Sequence, residues 1–357
     1  PHTPIYLTHK FWGRKPHNVV GQYIETYSKP NEVVLDSFIG SGVTAIEAIR
    51  LGRKTIAVDL NPVSILITRM TLMPVELKNF ERAFKSIERN VKTAIMKFYE
   101  TKCPKCGGDA EVTQFVWSVK EACPNCHTEV IMGFAEKKGI NIFKCPKCGG
   151  KITIEENAPK VPFLVYFDCQ SCKKRDRKTP DVFDLNKIES LEKMEIPHWY
   201  PTDKLYYQNS MPFMKREKSE SIADLFTRRN LIALSMILHE IEQLSDETIE
   251  DLMKLTFSSC LEQASKLNAV DLRKGREFQT RGWTIYSYWI STTILERNAW
   301  NCFEDRYKKI YRAKKESNKL IPKFKEGKKF GDLLNDKDAL LVTGSALDLS
   351  YISAVSY

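Results

Sequence analysis

Two carboxylates flank a glycine-rich turn near the start of the chain. Asp36 follows a short apolar run, and the turn that comes next holds Gly40 and Gly42. Asp59 follows a second apolar run a little further along. Glycine lets the backbone approach a ligand where a Cβ would collide. A carboxylate at the tip of a strand can accept hydrogen bonds from a ribose diol or meet a cationic group.

The same residues narrow the class of ligand. A dinucleotide-binding turn has the pattern G-x-G-x-x-G, which leaves a helix N-terminus free to hold a pyrophosphate. This chain has Phe38-Ile-Gly-Ser-Gly42 instead, with an acid just before it. Two acids suit a ligand that lacks phosphate and has a positive end. S-adenosylmethionine fits, because it combines a ribose, an amino acid and a sulfonium.

A β-α-β unit must position these groups. Residues 33–35 and 55–58 predict two buried strands, and residues 44–51 predict the helix between them, ended by Gly52. Further helices are predicted at residues 17–27, 63–70 and 77–99. Because the carboxyl ends of parallel strands meet at one edge of a sheet, Asp36 and Asp59 should lie close together.

Three motifs resemble those of the amino-methylating DNA methyltransferases. Residues 36–42, Asp-Ser-Phe-Ile-Gly-Ser-Gly, resemble that family's D-P-F-x-G-S-G motif, with Ser37 where proline is usual. Residues 59–62, Asp-Leu-Asn-Pro, resemble the acid-x-Asn-Pro that follows it. Residues 9–16 resemble the Lys-Pro segment that helps to close the cofactor pocket. The resemblance is strongest over residues 1–75, and the middle of the chain resembles the subgroup that carries zinc ribbons.

The resemblance implies an α/β fold with a Rossmann-like methyltransferase sheet, interrupted by inserted zinc ribbons and a helical region. It also implies that S-adenosylmethionine is the cofactor. The implied cofactor-binding residues are Lys15, Asp36, Phe38, Gly40, Ser41, Gly42, Asp59 and Asn61. For the segment that contains Lys15 there is a plainer alternative, a surface arm that Trp12 anchors to the core.

Eight of the ten cysteines form four C-x-x-C pairs, and these are typical of metal binding in a chain without a secretion signal. The predicted ligands are Cys103, Cys106, Cys123, Cys126, Cys145, Cys148, Cys169 and Cys172. Two pairs complete one tetrahedron, so we expect two structural Zn²⁺ ions with no position open to substrate. Sequential pairing of neighbouring pairs needs only short hairpins, and nested pairing of the first pair with the fourth is also possible.

The sequence lacks the motif from which a catalytic residue could be identified. Amino-methylating DNA methyltransferases carry [D/N/S]-P-P-[Y/F/W], whose ring stacks on the extruded base. The nearest sequence here, residues 209–213, lacks the paired proline. Residues 339–348 resemble the family's third strand and its tip, and the motif should come one strand later. We therefore expect it just past Tyr357, in a missing C-terminal half, or in a second subunit.

The charge of the chain suits a polyanionic partner, and the resemblance implies that this partner is DNA. The net charge is +10, and residues 306–329 hold eleven Lys/Arg against two Glu. The lysine-rich loops of residues 137–178, and the cations and aromatic residues of 273–289, are further candidate surfaces. Residues 306–329 are predicted to form a helix that shows its charge to a phosphate backbone, with a solvated helix end and linker as the alternative. The lysine-rich loops could equally be the solvated face of a metal-stabilised spacer, and residues 273–289 an ordinary linkage to a core strand or helix. The resemblance implies methylation of an exocyclic base amine, with adenine N6 favoured over cytosine N4. A catalytically silent, zinc-stabilised nucleic-acid-binding subunit and an RNA methyltransferase are the alternatives.

Composition and the resemblance together divide the chain into four parts. Residues 1–100 are predicted to be the cofactor-binding half of a methyltransferase domain, and residues 101–180 two zinc ribbons. Residues 181–335 are predicted to be a mostly helical basic insertion that could recognise the target, and residues 336–357 return to the sheet. No run of about 18 apolar residues and no signal peptide occur, so we expect a cytoplasmic protein without a membrane partner.

Overall fold

The computed structural model describes residues 3–139, 141–155, 158–207, 209–212, 220–271, 279–281 and 290–350. The helices in chain order are α1 (His17–Tyr27), α2 (Val43–Arg50), α3 (Pro62–Leu72), α4 (Leu77–Lys97), α5 (Val182–Lys193), α6 (Arg228–Glu242), α7 (Glu247–Ala264), α8 (Ala299–Leu320) and α9 (Phe330–Leu334). The strands are β1 (Val33–Asp36), β2 (Lys54–Asp59), β3 (Glu100–Lys102), β4 (Asp109–Ala122), β5 (Glu129–Ile131), β6 (Glu136–Gly139), β7 (Ile142–Lys144), β8 (Lys151–Thr153), β9 (Lys160–Cys169), β10 (Lys174–Lys178), β11 (Ala269–Asp271), β12 (Gln279–Arg281), β13 (Thr293–Arg297), β14 (Glu326–Gly327) and β15 (Ala339–Thr343).

The chain forms two compact units. Unit 1 comprises Pro1–Ile87, Ile241–Ser259 and Glu304–Tyr357, and unit 2 comprises Glu88–Glu240 and Cys260–Phe303. Among the described residues, no helix is both long enough and apolar enough to cross a membrane.

Unit 1 is built around a parallel four-stranded sheet in the order β1-β2-β15-β14. The strands predicted at residues 33–35, 55–58 and 339–342 are all present in it. In β2, Ile56, Ala57 and Val58 are fully or almost fully buried, as the apolar run predicts. Helices accompany this sheet, so the α/β class that the sequence predicts is confirmed.

Two helices of unit 1 begin where the sequence provides a start signal. Helix α2 begins after Gly42, which adopts a left-handed conformation with φ of +82°. Helix α3 begins after Asn61, whose side-chain Oδ1 accepts a hydrogen bond from the backbone N–H of Val63 at 3.0 Å. Pro62 occupies the first helical position, where its missing N–H costs nothing.

Unit 2 is organised by one long antiparallel pair, β4 and β9. Its eight-stranded sheet has the order β10-β9-β4-β13-β11-β12, and β3 and β5 also pair with β4. A separate three-stranded sheet has the order β6-β7-β8. Strand β13 lies in a region predicted to be helical, yet it pairs with β4 over residues 293–297. Its Thr-Ile-Leu sequence suits a buried strand as well as a buried helix, and the partner decides.

Candidate cofactor-binding site and metal centres

Asp36 and Asp59 lie at the same edge of the parallel sheet. Asp36 is the last residue of β1 and Asp59 the last residue of β2, and the two strands are parallel neighbours. Asp36 pairs in register with Ala57, so β2 extends two residues beyond the end of β1. Both acids are partly exposed. The glycine-rich turn that joins β1 to α2 starts from this edge.

Asp59 holds the glycine-rich turn in place. Its Oδ2 accepts a hydrogen bond from the backbone N–H of Gly40 at 2.8 Å, and its Oδ1 accepts one from Asn61 at 2.9 Å. A second link joins the turn to β2, because the N–H of Ile39 donates to the carbonyl of Val58 at 2.9 Å. Sequence reasoning assigned Asp59 to a ligand and missed this bond. Each carboxylate oxygen keeps a second acceptor direction, so ligand hydroxyls can still be accepted.

Exposed apolar side chains follow both strand tips. The Oδ1 of Asp36 accepts a hydrogen bond from the N–H of Phe38 at 3.0 Å, which fixes a tight side-chain turn. The Phe38 side chain is 79% exposed, and Leu60, directly after Asp59, is 76% exposed. Large apolar groups on both sides of a polar edge provide surface that a ring-bearing ligand can cover.

The two glycines of the turn have packing reasons of their own. Gly40 has a φ of +55°, and a Cβ there would lie 3.0 Å from the Phe11 ring. A Cβ on Gly42 would lie 2.7 Å from Oγ1 and 3.2 Å from Cα of Thr68. The close approaches that the sequence assigned to a ligand are thus made, at these two points, by Phe11 and by α3. Ser41 lies between them and is buried.

The segment before α1 is tied down by polar contacts. Arg14 donates to the backbone carbonyls of Tyr6 and of His9, the latter at 2.6 Å, and so closes residues 6–14 into a loop. Arg306 donates to the carbonyl of Thr8 at 2.6 Å and to Oγ of Ser259 at 2.9 Å. These contacts fix the segment from both of its sides.

The aromatic residue that anchors this segment is Phe11. Its ring lies against Gly40, whereas Trp12 is 41% exposed. Phe11, and not Trp12, thus packs against the glycine-rich turn. The Lys15 side chain is exposed and follows this anchored loop.

A buried carboxylate beneath the segment was not predicted. Glu47, on α2, is fully buried; it accepts hydrogen bonds from the Tyr6 hydroxyl and from Nη2 of Arg50, the latter at 2.5 Å. Burial, followed by this hydrogen bond, raises the pKa of Tyr6. A Cβ on Gly21 would lie 2.7 Å from Oε2 of Glu47, so glycine lets α1 pass over it. The only signal in the sequence is an acid inside the apolar run Ala-Ile-Glu-Ala-Ile.

The eight paired cysteines form two clusters with nested pairing. One cluster contains Cys103, Cys106, Cys169 and Cys172, and the other contains Cys123, Cys126, Cys145 and Cys148. The Sγ atoms of each cluster lie within 4.8 Å of one another. The Sγ–Sγ distance is 3.6 Å for Cys106 and Cys169, 3.6 Å for Cys123 and Cys148, and 3.8 Å for Cys126 and Cys145. A tetrahedral Zn²⁺ with bonds of about 2.3 Å needs Sγ atoms about 3.8 Å apart. Each cluster therefore has the donor set and the spacing that zinc requires.

Strand β4 explains why sequential pairing does not occur. It has 14 residues and separates the first cysteine pair from the second by roughly 40 Å when extended. Antiparallel pairing with β9 sets Ala110 opposite Cys169, so the first pair meets the fourth. The short hairpins that sequential pairing needs are absent from this part of the structure.

The four cysteine turns share one backbone feature. The residue directly after the second cysteine of each pair has a positive φ: Gly107 (+70°), His127 (+53°), Gly149 (+77°) and Lys173 (+51°). His127 is exposed and belongs to neither cluster. It occupies a position that favours glycine and therefore carries a conformational cost.

Cations around the cluster that contains Cys103 are largely neutralised. Lys105 pairs with Asp176 at 2.7 Å, and Arg175 pairs with Asp168 at 3.2 Å. Lys178 pairs with two aspartates at 2.6 and 2.9 Å. The basic run of residues 173–178 therefore presents less free charge than its sequence suggests.

Part of the charge of the basic region at residues 306–329 also points inwards. Lys314 is 1% exposed and donates to the carbonyls of Met70, Thr71 and Met73 at 2.9, 3.3 and 2.6 Å, at the end of α3. Burial lowers the pKa of Lys314 to about 7. Arg306 is buried as well. The prediction that this helix displays its charge is wrong for these two cations. The cations at 273–276 and the aromatic residues at 283–289 lie outside the described residues.

Comparison with known proteins supports the resemblance in the N-terminal part of the chain. Residues 5–69 match the family model for N6/N4 DNA methylases. The chain is 49% identical over 47 residues to the type II methyltransferase M1.MboII of Moraxella bovis. It is 44% identical over 46 residues to the type II methyltransferase M2.LlaDCHI of Lactococcus lactis subsp. cremoris.

These matches cover a small part of each protein. Each of the two involves 13% of this chain, and they cover 18% and 17% of the two relatives. No solved structure matches the chain. The resemblance to the amino-methyltransferases is thus confirmed where the motifs lie, in the segment that includes the glycine-rich turn and Asp59.

Proposed function

We propose that this chain, which carries the amino-methyltransferase signature in residues 5–69, is part of an S-adenosylmethionine-dependent DNA methyltransferase that acts on an exocyclic base amine. One observation carries the proposal. Asp36, the turn with Gly40 and Gly42, and Asp59 meet at the carboxyl edge of two neighbouring parallel strands. Ligands of open α/β sheets bind at this edge.

The residues at this edge fit the cofactor. Asp59 has free acceptor directions for ribose hydroxyls, and Asp36 can meet the positively charged end. Phe38 offers apolar surface beside them, while Ser41, Asn61 and the two glycines shape the turn. Lys15, which follows the segment that contains Phe11, would contact the edge of the cofactor. The cofactor, when bound, supplies an electrophilic methyl group on its sulfonium. The protein side chains bind and orient it, and they exclude water from its apolar parts.

We propose DNA as the substrate, with adenine N6 favoured over cytosine N4. Both relatives are named type II methyltransferases, which supports a restriction–modification role. The target base would leave the duplex, since its amine is not accessible inside the stack. The cytoplasm is the compartment that this role implies. We also propose that each cysteine cluster holds one structural Zn²⁺, because four thiolates leave no coordination position for substrate.

The proposal needs an amine-binding tetrapeptide from outside the 357 residues, either from a further segment or from a second subunit. The open edge of β1 supports this part of it. Strand β1 has one sheet neighbour among the described residues, and its Val33 and Leu35 are 38% and 48% exposed. An apolar strand edge of this kind is suited to accept another strand.

Calorimetry with S-adenosylmethionine tests the proposal. Asp59→Ala should weaken binding by about 1.5–3 kcal/mol, because hydrogen bonds to a charged acceptor are lost. Asp336→Ala is the matched control, since Asp336 is an exposed acid of unit 1 paired with Lys325 at 2.7 Å. Unchanged affinity in Asp59→Ala would remove Asp59 from the site.

A second measurement separates the alternatives. The chain is incubated with a protein or segment that supplies the tetrapeptide, together with labelled cofactor and either DNA or RNA. Label in DNA agrees with the proposal, and label in RNA alone supports an RNA methyltransferase. Duplex binding by a chain with no cofactor affinity supports a catalytically silent nucleic-acid-binding subunit.

A further inference from the structure

Helix α8 has cations on both its buried side and its exposed side. Its inward side is lined by Tyr307, Ile310 and Ala313, which are 8%, 0% and 1% exposed. Arg306 and Lys314 also lie on this side and are bonded inside unit 1. Part of the helix's positive charge is therefore used within the fold and is not available to a partner.

The exposed cations of α8 are Lys308, Lys309, Arg312, Lys315 and Lys319, and we call the last three the α8 stripe. All three are exposed. None of them has an ion pair or hydrogen bond with any other residue in the part of the chain that the structure describes. Their spacing of three and four residues places them on one face of the helix. They extend over about 10 Å of the helix axis at about 1.5 Å per residue.

Lysines on other surface helices of unit 1 form ion pairs with acids on the same helix. Lys85 pairs with Glu81 at 2.7 Å, and Lys254 pairs with Glu250 at 2.7 Å. On α8 itself, Lys308 pairs with Glu304 at 2.6 Å. In each case the acid stands four residues before the lysine, which is the favourable arrangement on a helix.

The α8 stripe lacks such acids. Four residues before its members stand Lys308, Tyr311 and Lys315, so two of the three positions hold a like charge. Glu316 is the acid within the stripe, and its Oε2 accepts a hydrogen bond from the backbone N–H of Ile5 at 3.0 Å. Like charges at this spacing destabilise a helix, and a bound polyanion would remove that cost.

We propose that the α8 stripe binds the phosphate backbone of duplex DNA. The inference takes its ligand from the proposed function and rests on it in that respect. Phosphates recur about every 3.4 Å of duplex axis on each strand, so three cations over about 10 Å can each meet one. Such contacts position a duplex without reading its sequence.

Salt-dependent binding of a fluorescent 20-base-pair duplex to the full chain tests the proposal. The logarithm of the binding constant is plotted against the logarithm of the KCl concentration for wild type and two triple variants. The stripe variant carries Arg312→Gln, Lys315→Gln and Lys319→Gln. The control carries the same substitution at Lys85, Lys254 and Lys325 and removes the same net charge from paired sites that are not on α8. Glutamine keeps helix propensity close to that of lysine and arginine.

The stripe variant should reduce the magnitude of the slope by two to three, because each phosphate that a cation neutralises contributes about 0.9 to it. The control should change it by less than one. Lys315→Gln alone should reduce it by about one, and this variant serves if the triple variant does not fold. Equal reductions in both triple variants, no reduction in the stripe variant, or tighter binding of an RNA duplex than of DNA would each overturn the proposal.

Calorimetry with S-adenosylmethionine on the same proteins keeps the two proposals apart. The stripe variant should bind cofactor as wild type does. Absence of the stripe's salt effect with cofactor binding intact overturns only the α8 stripe. Absence of cofactor binding in wild type, with the stripe effect present, overturns only the methyltransferase.

Discussion

Replacing Gly42 with alanine tests the turn most directly, because Gly52 provides a matched position. Both glycines belong to unit 1 and have similar positive φ values, +82° and +75°. A Cβ on Gly52 would meet no atom within 4 Å, whereas a Cβ on Gly42 would lie 2.7 Å from Oγ1 and 3.2 Å from Cα of Thr68. Both substitutions thus impose the same backbone strain, but only the alanine at position 42 would collide with Thr68.

The magnitudes follow from these distances. A left-handed conformation costs a non-glycine residue about 1–2 kcal/mol, and the reduced freedom of the unfolded chain returns about 0.4–1 kcal/mol. Gly52→Ala should therefore lower the free energy of unfolding by about 1 kcal/mol. Gly42→Ala adds overpacking against the backbone of α3, which costs about 1–3 kcal/mol more. We expect a total of about 2–4 kcal/mol.

Urea unfolding followed by circular dichroism measures both effects, and calorimetry with S-adenosylmethionine measures the consequence for the site. Gly42→Ala should also weaken cofactor binding, since Gly42 ends the turn and begins α2. Adding Thr68→Ala removes the Oγ1 contact and should recover part of the lost stability in the Gly42→Ala background. If Gly42→Ala and Gly52→Ala unfold at the same urea concentration, the packing of the turn against α3 is wrong.

Three further predictions concern the same features. Asn61→Ala should lower the free energy of unfolding by about 1 kcal/mol in urea, because it removes the cap of α3; no change would exclude that cap. Elemental analysis of zinc should find one ion in Cys103→Ala/Cys169→Ala and none in Cys103→Ala/Cys123→Ala, whereas sequential pairing demands the reverse. His127→Gly should raise the melting temperature of the zinc-loaded protein, since it relieves about 1 kcal/mol of backbone strain; a lower one would contradict the turn geometry.

The sequence predicted the edge of the sheet well because its signals are local. A buried strand, a glycine turn and an acid at the next strand tip lie within residues 33–59, and parallel β-α-β geometry brings their ends together. The cysteine ligands were equally local, since a C-x-x-C turn needs no distant partner. The pairing of these turns was not local. It depends on the 14-residue length of β4, and no hydrophobic pattern in the sequence predicts that length.

The contacts that the sequence missed are made by residues far apart in the chain. Phe11 reaches Gly40, Thr68 reaches Gly42, and Lys314 reaches the last carbonyls of α3. A net charge of +10 counts Lys314 in the same way as an exposed lysine. Composition gives the net charge, whereas only tertiary structure shows which charged side chains are buried and which are exposed. The basic region therefore contains cations buried in unit 1, cations paired with surface acids and cations that stay exposed.

Asp59 shows why the site is more than a set of ligand contacts. The carboxylate that would accept cofactor hydroxyls already accepts the N–H of Gly40 and of Asn61. The turn and the start of α3 thus depend on the same side chain that the cofactor would use. A substitution at Asp59 should lower both stability and affinity. Among the described residues Asp36 bonds only the N–H of Phe38 within its own turn, so a substitution there should lower affinity with a smaller loss of stability. Urea unfolding of the two variants measures this difference: Asp59→Ala should have the lower free energy of unfolding, because Asp59 bonds the glycine-rich turn to β2 and Asp36 only borders that turn.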